Sequence, residues 1–267
     1  MRYVFKILHE QMANFHLIKR LTIFELRSMY QMHYLGILWQ FINPLSQVMV
    51  FWFVFGIGIR GGQPIGDVPF FVWLIAGLIP WFFISPVIIQ GSNSIYTKLN
   101  FVSKMKFPLS VIPTITILRH SIHFLIMFLF LGLILVLNEI YSGMYLLQLP
   151  YYIAATLIFL FSVTLFCSTI SIIVRDFQLA IQAIMRMLFF VTPIMWDASG
   201  LSERMQALLK LNPLSYIIDG FRYTLLGQRW FFDDLVYTGY FWSITLLFLF
   251  VGAIFHIRFR HRFVDYL

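Results

Sequence analysis

Charge is what this 267-residue chain has least of: Asp, Glu, Lys and Arg make up only 11% of it, against about a quarter in soluble globular proteins. Hydrophobic residues make up 60% and mean hydropathy is +0.84. So little charge cannot clothe a soluble domain of this length, which excludes the soluble enzymes. The net charge of +8 does not rescue a nucleic-acid reading, because the basic residues flank apolar runs instead of forming a solvated patch. Cysteine is almost missing as well. The single Cys167 lies within an apolar run, so an intrachain disulfide is excluded and thiol chemistry has no second sulfur. Residues 1–34 hold no apolar signal core and no small-residue cleavage site, and the first apolar run is expected to be an uncleaved insertion signal.

Catalytic patterns are missing too. The chain contains no Gly-x-x-x-x-Gly-Lys-Ser/Thr loop, no dinucleotide fingerprint and no His-Glu-x-x-His. His120 and His123 could share a helix face but have no third ligand at metal spacing, so no metal site is assigned. Asp233 and Asp234 are adjacent, point apart on a helix, and read as a solvated loop.

What is present is a series of six apolar runs, close to the ~20 residues that a helix needs to cross about 30 Å of hydrocarbon. They cover residues 35–59, 69–89, 115–137, 150–174, 178–196 and 237–257. Twelve of the 19 Lys and Arg fall on one side of this alternation, five on the other, and Arg119 and Arg186 lie inside runs. The expected fold is an all-α membrane protein with six transmembrane helices and both termini cytoplasmic. Residues 13–32 are expected to form an amphipathic interface helix. Leu17, Ile18, Leu21, Phe24 and Met32 lie on one arc, with His16, Lys19, Arg20 and Arg27 opposite and Glu25 breaking the arc.

Two runs carry polar stripes. Gln40, Asn43 and Gln47 follow helical spacing around Pro44 in the first, and Gln178, Gln182 and Arg186 do so in the fifth. Amides and a guanidinium in hydrocarbon are costly, so both stripes must face other helices or water. Either interhelical hydrogen bonding or a lined pathway satisfies that requirement. Thr164, Ser168 and Ser171 make a small-residue stripe suited to close helix packing. The segment 92–107 reads as a short helix between spans, with Ile95, Leu99 and Val102 on one ridge and Lys98, Lys104 and Lys106 beside it. That ridge suits either docking of a cytoplasmic subunit or rest on lipid headgroups. Arg175 and Asp176 form a turn on the same side. After Pro193, residues 193–226 divide into two helices too short to cross a membrane. The first has Leu201, Met205, Leu208 and Leu209 on one face. The second starts with Asn212 and Pro213 as N-cap and N1, with Leu214, Ile217, Ile218, Phe221 and Leu225 on one face and Asp219 and Arg222 opposite. Non-spanning helices at membrane depth need protein or water around them, which makes these candidates for a gate.

Six segments in order carry a family resemblance: YLGILWQFINPL at 34–45, GLIPWFF at 77–83, NFVSKMKFPLSVIP at 100–113, VRDF at 174–177, VTPIMW at 191–196 and LNPLSYIIDGFRYTLL at 211–226. Together they resemble the permease subunits of type-2 ABC exporters of the polysaccharide and teichoic acid branch, with wall teichoic acid permeases the nearest match. The resemblance implies one transmembrane domain over 1–267 and a homodimer at the bacterial plasma membrane. It also implies two copies of a separate ATPase, which would carry the ATP and magnesium; the chain itself would have no catalytic site or cofactor. Residues 92–107 would be the coupling helix, using Ile95, Lys98, Leu99, Val102 and Lys104 with Arg175 and Asp176. The conduit would include Gln40, Asn43, Gln47, Phe51, Gln182, Arg186 and Phe189, with Trp39, Trp196 and Arg119 as further substrate contacts. Pro193, Trp196, Asn212, Pro213, Tyr216, Asp219 and Arg222 would belong to the outer gate. The cargo would be an undecaprenyl-diphosphate-linked polymer, teichoic acid first and O-antigen or capsular polysaccharide as the alternative. An ATPase-independent secondary transporter is opposed by the lack of inverted repeats and buried carboxylates. A membrane glycan transferase would have only His120 and His123 for its chemistry.

Overall fold

The computed structural model of the chain describes residues 2–30, 38–102, 107–260 and 263. Among these, regular structure is helical apart from one isolated bridge between Ile65 and Val68. The order is α1 (Arg2–Ala13), α2 (Phe15–Tyr30), α3 (Trp39–Phe51) continuing as a π-helix (Trp52–Ile59), α4 (Phe70–Ser92), α5 (Ser94–Val102) and α6 (Val111–Leu137). A 3-10 turn (Gly143–Gln148) leads into α7 (Leu149–Ile173), followed by α8 (Phe177–Val191), α9 (Glu203–Lys210), α10 (Pro213–Leu225) and α11 (Leu235–Phe259).

The helix at the centre is α4. Its sequence is apolar on every face, which only a helix surrounded by protein or lipid can tolerate, and it is buried from Phe70 almost to its end. Around it pack α6, α7, α8 and α10, with α3 against one edge. Glycine and small residues set the closest approaches. Gly91 of α4 lies against Thr164, and Gly252 of α11 lies against the backbone at Phe166. The small-residue stripe Thr164, Ser168 and Ser171 is buried, as its spacing predicts for a packing face.

Among the described residues, five helical segments are long and apolar enough to cross a membrane: Phe41–Ile59, Phe70–Ser92, Val111–Leu137, Gly143–Ile173 and Leu235–Phe259. The sixth expected span, 178–196, differs. Its helix α8 has only 15 residues, about 22 Å at 1.5 Å per residue. It stops at Val191 because Pro193 has no N–H to continue the ladder, and Thr192 at the C-cap is extended. Nevertheless α8 runs from beside Ser92, where Gln178 accepts from the Ser92 hydroxyl at 2.6 Å, to the opposite end of α4.

The amino-terminal region differs in a second way. The expected helix over 13–32 corresponds to α2, and a further helix, α1, precedes it, the two meeting at Asn14, whose side-chain amide donates to the Glu10 carbonyl at 2.8 Å. Such local side-chain bonding competes with continuous helix. Ile7 of α1 is buried with Leu165 and Ala253. Glu10 accepts from Ser110 Oγ at 2.6 Å and from Arg260 at 2.8 Å, tying both ends of the chain to the start of α6. Burial pushes the Glu10 carboxyl up, but the bonds from Ser110 and Arg260 outweigh it and hold its pKa below the ordinary value. On α2, Ile18 packs with Val111 and Ile115 of α6, while Phe24 points outward and is 68% exposed. Met32 and the segment 31–37 lie outside the described residues.

The tightest contact is Gly220 of α10 against the ring of Tyr152 on α7, where a Cβ would overlap the ring. Gly220→Ala is expected to force the two helices apart and cost about 1–3 kcal/mol of stability. A thermal unfolding midpoint in detergent equal to wild type would show that the α7–α10 contact is softer than described.

Candidate functional site

The two polar stripes meet across one cavity. A space of about 420 Å³ between α3, α4 and α8 is lined by Asn43, Gln47, Phe51, Trp81, Arg186 and Phe189, among others. Gln47 donates to Asn43 Oδ1 at 3.2 Å, so the two amides partly satisfy each other along an exposed helix face. Phe189 stacks at 5.3 Å from Phe51 and 5.5 Å from Trp81, joining the three helices through aromatic rings. Arg186 is exposed at the cavity. Not every member of the stripes is there. Gln182, half-buried one turn before Arg186, is not part of that lining. Gln178 is locked against α4 through Ser92 and the Ile89 carbonyl, a packing role. The side chain of Gln40 lies outside the described residues. Trp81, Ser85 and Pro86 line the same cavity from α4. Sequence reading missed them, because α4 is apolar all round and no face stands out.

At the far end of α8 the broken helix is held by Arg222. Its guanidinium donates to the carbonyls of Pro193 (2.5 Å) and Ile194, its Nε to the Trp73 carbonyl (3.3 Å), and it stacks 3.5 Å over the Trp73 ring. The side chain is buried, and Gly77 leaves the space that it fills. The expected outward face of Asp219 and Arg222 is thereby corrected. Arg222 points inward because carbonyls beyond the helix break need donors, whereas Asp219 stays 26% exposed, 3.9 Å from Arg222 Nη1. Asn212 caps α10 as expected, accepting from the Leu214 N–H at 3.0 Å and donating to Thr192 Oγ1 at 2.8 Å, with Pro213 next. Tyr216 is buried too, its hydroxyl 2.8 Å from that of Tyr151 and 3.1 Å from Thr238 Oγ1. Trp196 is fastened by its indole N–H to the Phe190 carbonyl at 3.0 Å. The apolar face of α9 is uncovered within one chain, with Met205 54% and Leu208 60% exposed.

At the opposite end, α5 departs from the expected docking ridge. Ile95 and Leu99 are buried with Ile112, Ile172 and Phe263, so this ridge seats α5 on its own bundle. Lys98 pairs with Glu25 of α2, and Arg119 of α6 reaches Glu25 at 3.5 Å and Gln90 of α4. The Glu25 that breaks the apolar arc of α2 is therefore the residue that ties α2, α5 and α6 together. Arg119 accordingly meets a carboxylate, not lipid. Arg175 lies 5.8 Å over the Tyr96 ring, and Arg175 and Asp176 are exposed beside α5. Asp176 holds the N-cap position of α8 without a side-chain cap bond. Lys104 and the side chain of Val102 lie outside the described residues.

The family described as ABC-2 type transporter matches residues 16–226 of the chain. An O-antigen export system permease protein, RfbA, of Myxococcus xanthus is 28% identical over 210 residues, 77% of this chain and 78% of that protein. An RfbA of Klebsiella pneumoniae is 25% identical over 257 residues, 95% of each chain. The polysialic acid transport protein KpsM of Escherichia coli is 22% identical over 236 residues, 88% of this chain and 90% of that one.

Arg222→Ala is expected to leave the Pro193 and Ile194 carbonyls without this donor and to lower stability by roughly 3 kcal/mol or more. Arg222→Lys should recover little of this, since an ammonium cannot span the three acceptors or stack on Trp73. Unfolding midpoints of the two variants in detergent test this; a lysine variant as stable as wild type would contradict it.

Proposed function

The chain belongs to the ABC-2 type transporter family, and on that footing we propose that it is the permease subunit of an ATP-driven exporter of a lipid-linked bacterial polysaccharide. The observation that carries this reading is the cavity between α3, α4 and α8, where polar groups from two helices meet inside an otherwise apolar bundle. Asn43 and Gln47 are exposed on the least covered span, a costly position in lipid. A second copy of the chain facing that side would close the cavity into a conduit, which supports the homodimer. O-antigen or capsular polysaccharide is the better supported cargo, because the relatives are named for O-antigen and polysialic acid. The teichoic acid reading rests on local sequence resemblance alone.

In the proposed cycle, ATP binding closes a pair of ATPase subunits against α5 and the Arg175–Asp176 turn. The buried Ile95 and Leu99 make α5 rigid with α7, and the Glu25 pairs carry its displacement to α2 and α6. Movement at that end shifts α8 against α3 and opens the conduit. Arg186 attracts the carrier's diphosphate, a use of charge in a span that would repay its desolvation. Phe51, Trp81 and Phe189 present ring faces to the passing sugars. Orientation with both termini cytoplasmic follows from the lysine and arginine bias, and it agrees with Glu10 and Arg260 meeting at the same end as α5.

The deciding experiment reconstitutes the chain with its ATPase in lipid and follows ATP-dependent delivery of lipid-linked polymer to the opposite leaflet. Arg186→Ala is expected to cut delivery roughly tenfold, the cost of one charge-assisted contact, while assembly and unfolding midpoint stay as in wild type. Unchanged delivery, or polymer movement without any ATPase, would remove this reading in favour of a different role for the cavity or a secondary transporter.

A further inference from the structure

A second pair of cavities lies at the other end of the bundle from α5, apart from the conduit. One, of about 360 Å³, opens between α7, α10 and α11; the other, of about 480 Å³, between α4, α9 and α10. Lys210, Asp219, Tyr223, Arg229 and Tyr237 line both, so the two form one groove, of the size class of small-ligand sites. Its walls are aromatic: Tyr152, Tyr216 and Trp230 in the first part, Trp73 in the second.

The polar groups of this groove fall into those already used and those left over. Lys210 pairs with Asp234 at 2.7 Å, and Asp233 accepts from the Trp230 N–H at 2.9 Å. The bond from Lys210 and that from the Tyr237 N–H hold the Asp234 carboxyl below the usual carboxylate range. Asp197 accepts from the N–H and hydroxyl of Ser199, and Arg222 is taken up by its carbonyls. Two buried hydroxyls remain. The Tyr237 hydroxyl and Ser215 Oγ are buried with no hydrogen-bond partner among the described residues, and Ser215 is only 2% exposed. Leaving a buried hydroxyl unpaired is costly, which points to a ligand that supplies both a donor and an acceptor. Asp219 adds a partly exposed carboxylate, whose one ion pair among the described residues is the 3.9 Å contact to Arg222.

We propose that this groove binds a neutral hexose unit of the exported glycan as it leaves the conduit. A sugar ring offers hydroxyls that donate to Asp219 and exchange bonds with Tyr237 and Ser215, and flat C–H faces that lie on tyrosine and tryptophan rings. An anionic residue fits poorly. Four carboxylates line the groove against three cationic groups; Lys210 is paired with Asp234 and Arg222 with its carbonyls, and Arg229 is exposed, 5.8 Å over the Tyr223 ring. The groove would therefore favour uncharged chains over polyanions and would hold the emerging end against backward slipping. This rests on the polysaccharide-export reading above, and it names which class of polysaccharide that site accepts.

The test is calorimetric titration of the full chain in lipid nanodiscs with a neutral mannose tetrasaccharide and with a sialic acid tetramer. The mannose probe should bind and the sialic acid probe should bind at least roughly tenfold more weakly. Tyr237→Phe, which keeps the ring, and Asp219→Asn should each weaken the mannose probe by roughly tenfold, the loss of about one hydrogen bond to a charged or buried group. No binding to wild type, equal binding of both probes, or unchanged binding by both variants would overturn the site. ATP-driven delivery is scored in the same preparations after adding the ATPase. Delivery without sugar binding would sink the groove and leave the export reading standing. Sugar binding with no delivery would do the reverse.

Discussion

A helix that stops part-way along an apolar bundle leaves the carbonyls beyond its end without helical donors, and the rest of this structure is arranged around answering that problem. The break after Val191 exposes the carbonyls of Pro193 and Ile194, and Arg222 supplies the donors. Bringing a guanidinium there requires a helix, α10, to enter the bundle between α4, α6 and α7. It also requires Gly77 to leave room and Trp73 to lie under the cation. The capping of α10 by Asn212, which also reaches Thr192, fastens the same two segments a second time. An isolated arginine at such depth would be prohibitive. Bonded to three carbonyls and stacked on an indole, it becomes the pin of the assembly.

This arrangement divides the molecule into a rigid part and an exposed part. The rigid part is α4 with α6, α7, α10 and α11, joined by aromatic contacts such as Phe83 on Phe124 at 4.7 Å and Tyr216 on Phe241 at 4.5 Å. The exposed part is α3, α8 and α9, whose outward faces carry large apolar side chains together with Asn43, Gln47 and Arg186. Polar and apolar groups mixed on one membrane-facing surface belong to a face that meets protein and water as well as lipid. The conduit proposed here thus lies along the loosely held edge, where two surfaces can separate without unpacking the core. The proposed sugar groove takes its hydroxyls from the rigid part, Tyr237 on α11 and Ser215 on α10, while α9 closes one side of it.

The assembly at the α5 end follows a similar logic with charge in place of carbonyls. Glu25 bonds Lys98 and Arg119, Glu10 bonds Ser110 and Arg260, and Gln11 bonds Ser110 and Thr114. Three residues of the two amino-terminal helices thereby connect α5, α6 and the carboxyl-terminal end. Pairs this close to a membrane surface are shielded from solvent on one side, so they are stronger than fully exposed pairs. A push on α5 is consequently shared among α2, α6 and α7 instead of bending a single loop.

Composition and periodicity alone determined the membrane class, the helical architecture, five of the spans to within a few residues, the break at Pro193 and the Asn212–Pro213 start of α10. These are local properties: apolar length, a missing N–H, a capping side chain. The opposing stripes at Asn43–Gln47 and Arg186 were legible as well, since helical spacing puts such residues on one face whatever the neighbours are. Tertiary structure alone decided which way each amphipathic face turned. Ile95 and Leu99 turned inward, Arg222 turned inward and Lys98 found Glu25, because each of these choices depends on partners 13 to 168 residues away in sequence. The groove beneath α10 was invisible for the same reason. Tyr152 comes from α7, Ser215 and Asp219 from α10, Arg229 from the following loop and Tyr237 from α11, and only packing brings them to one groove.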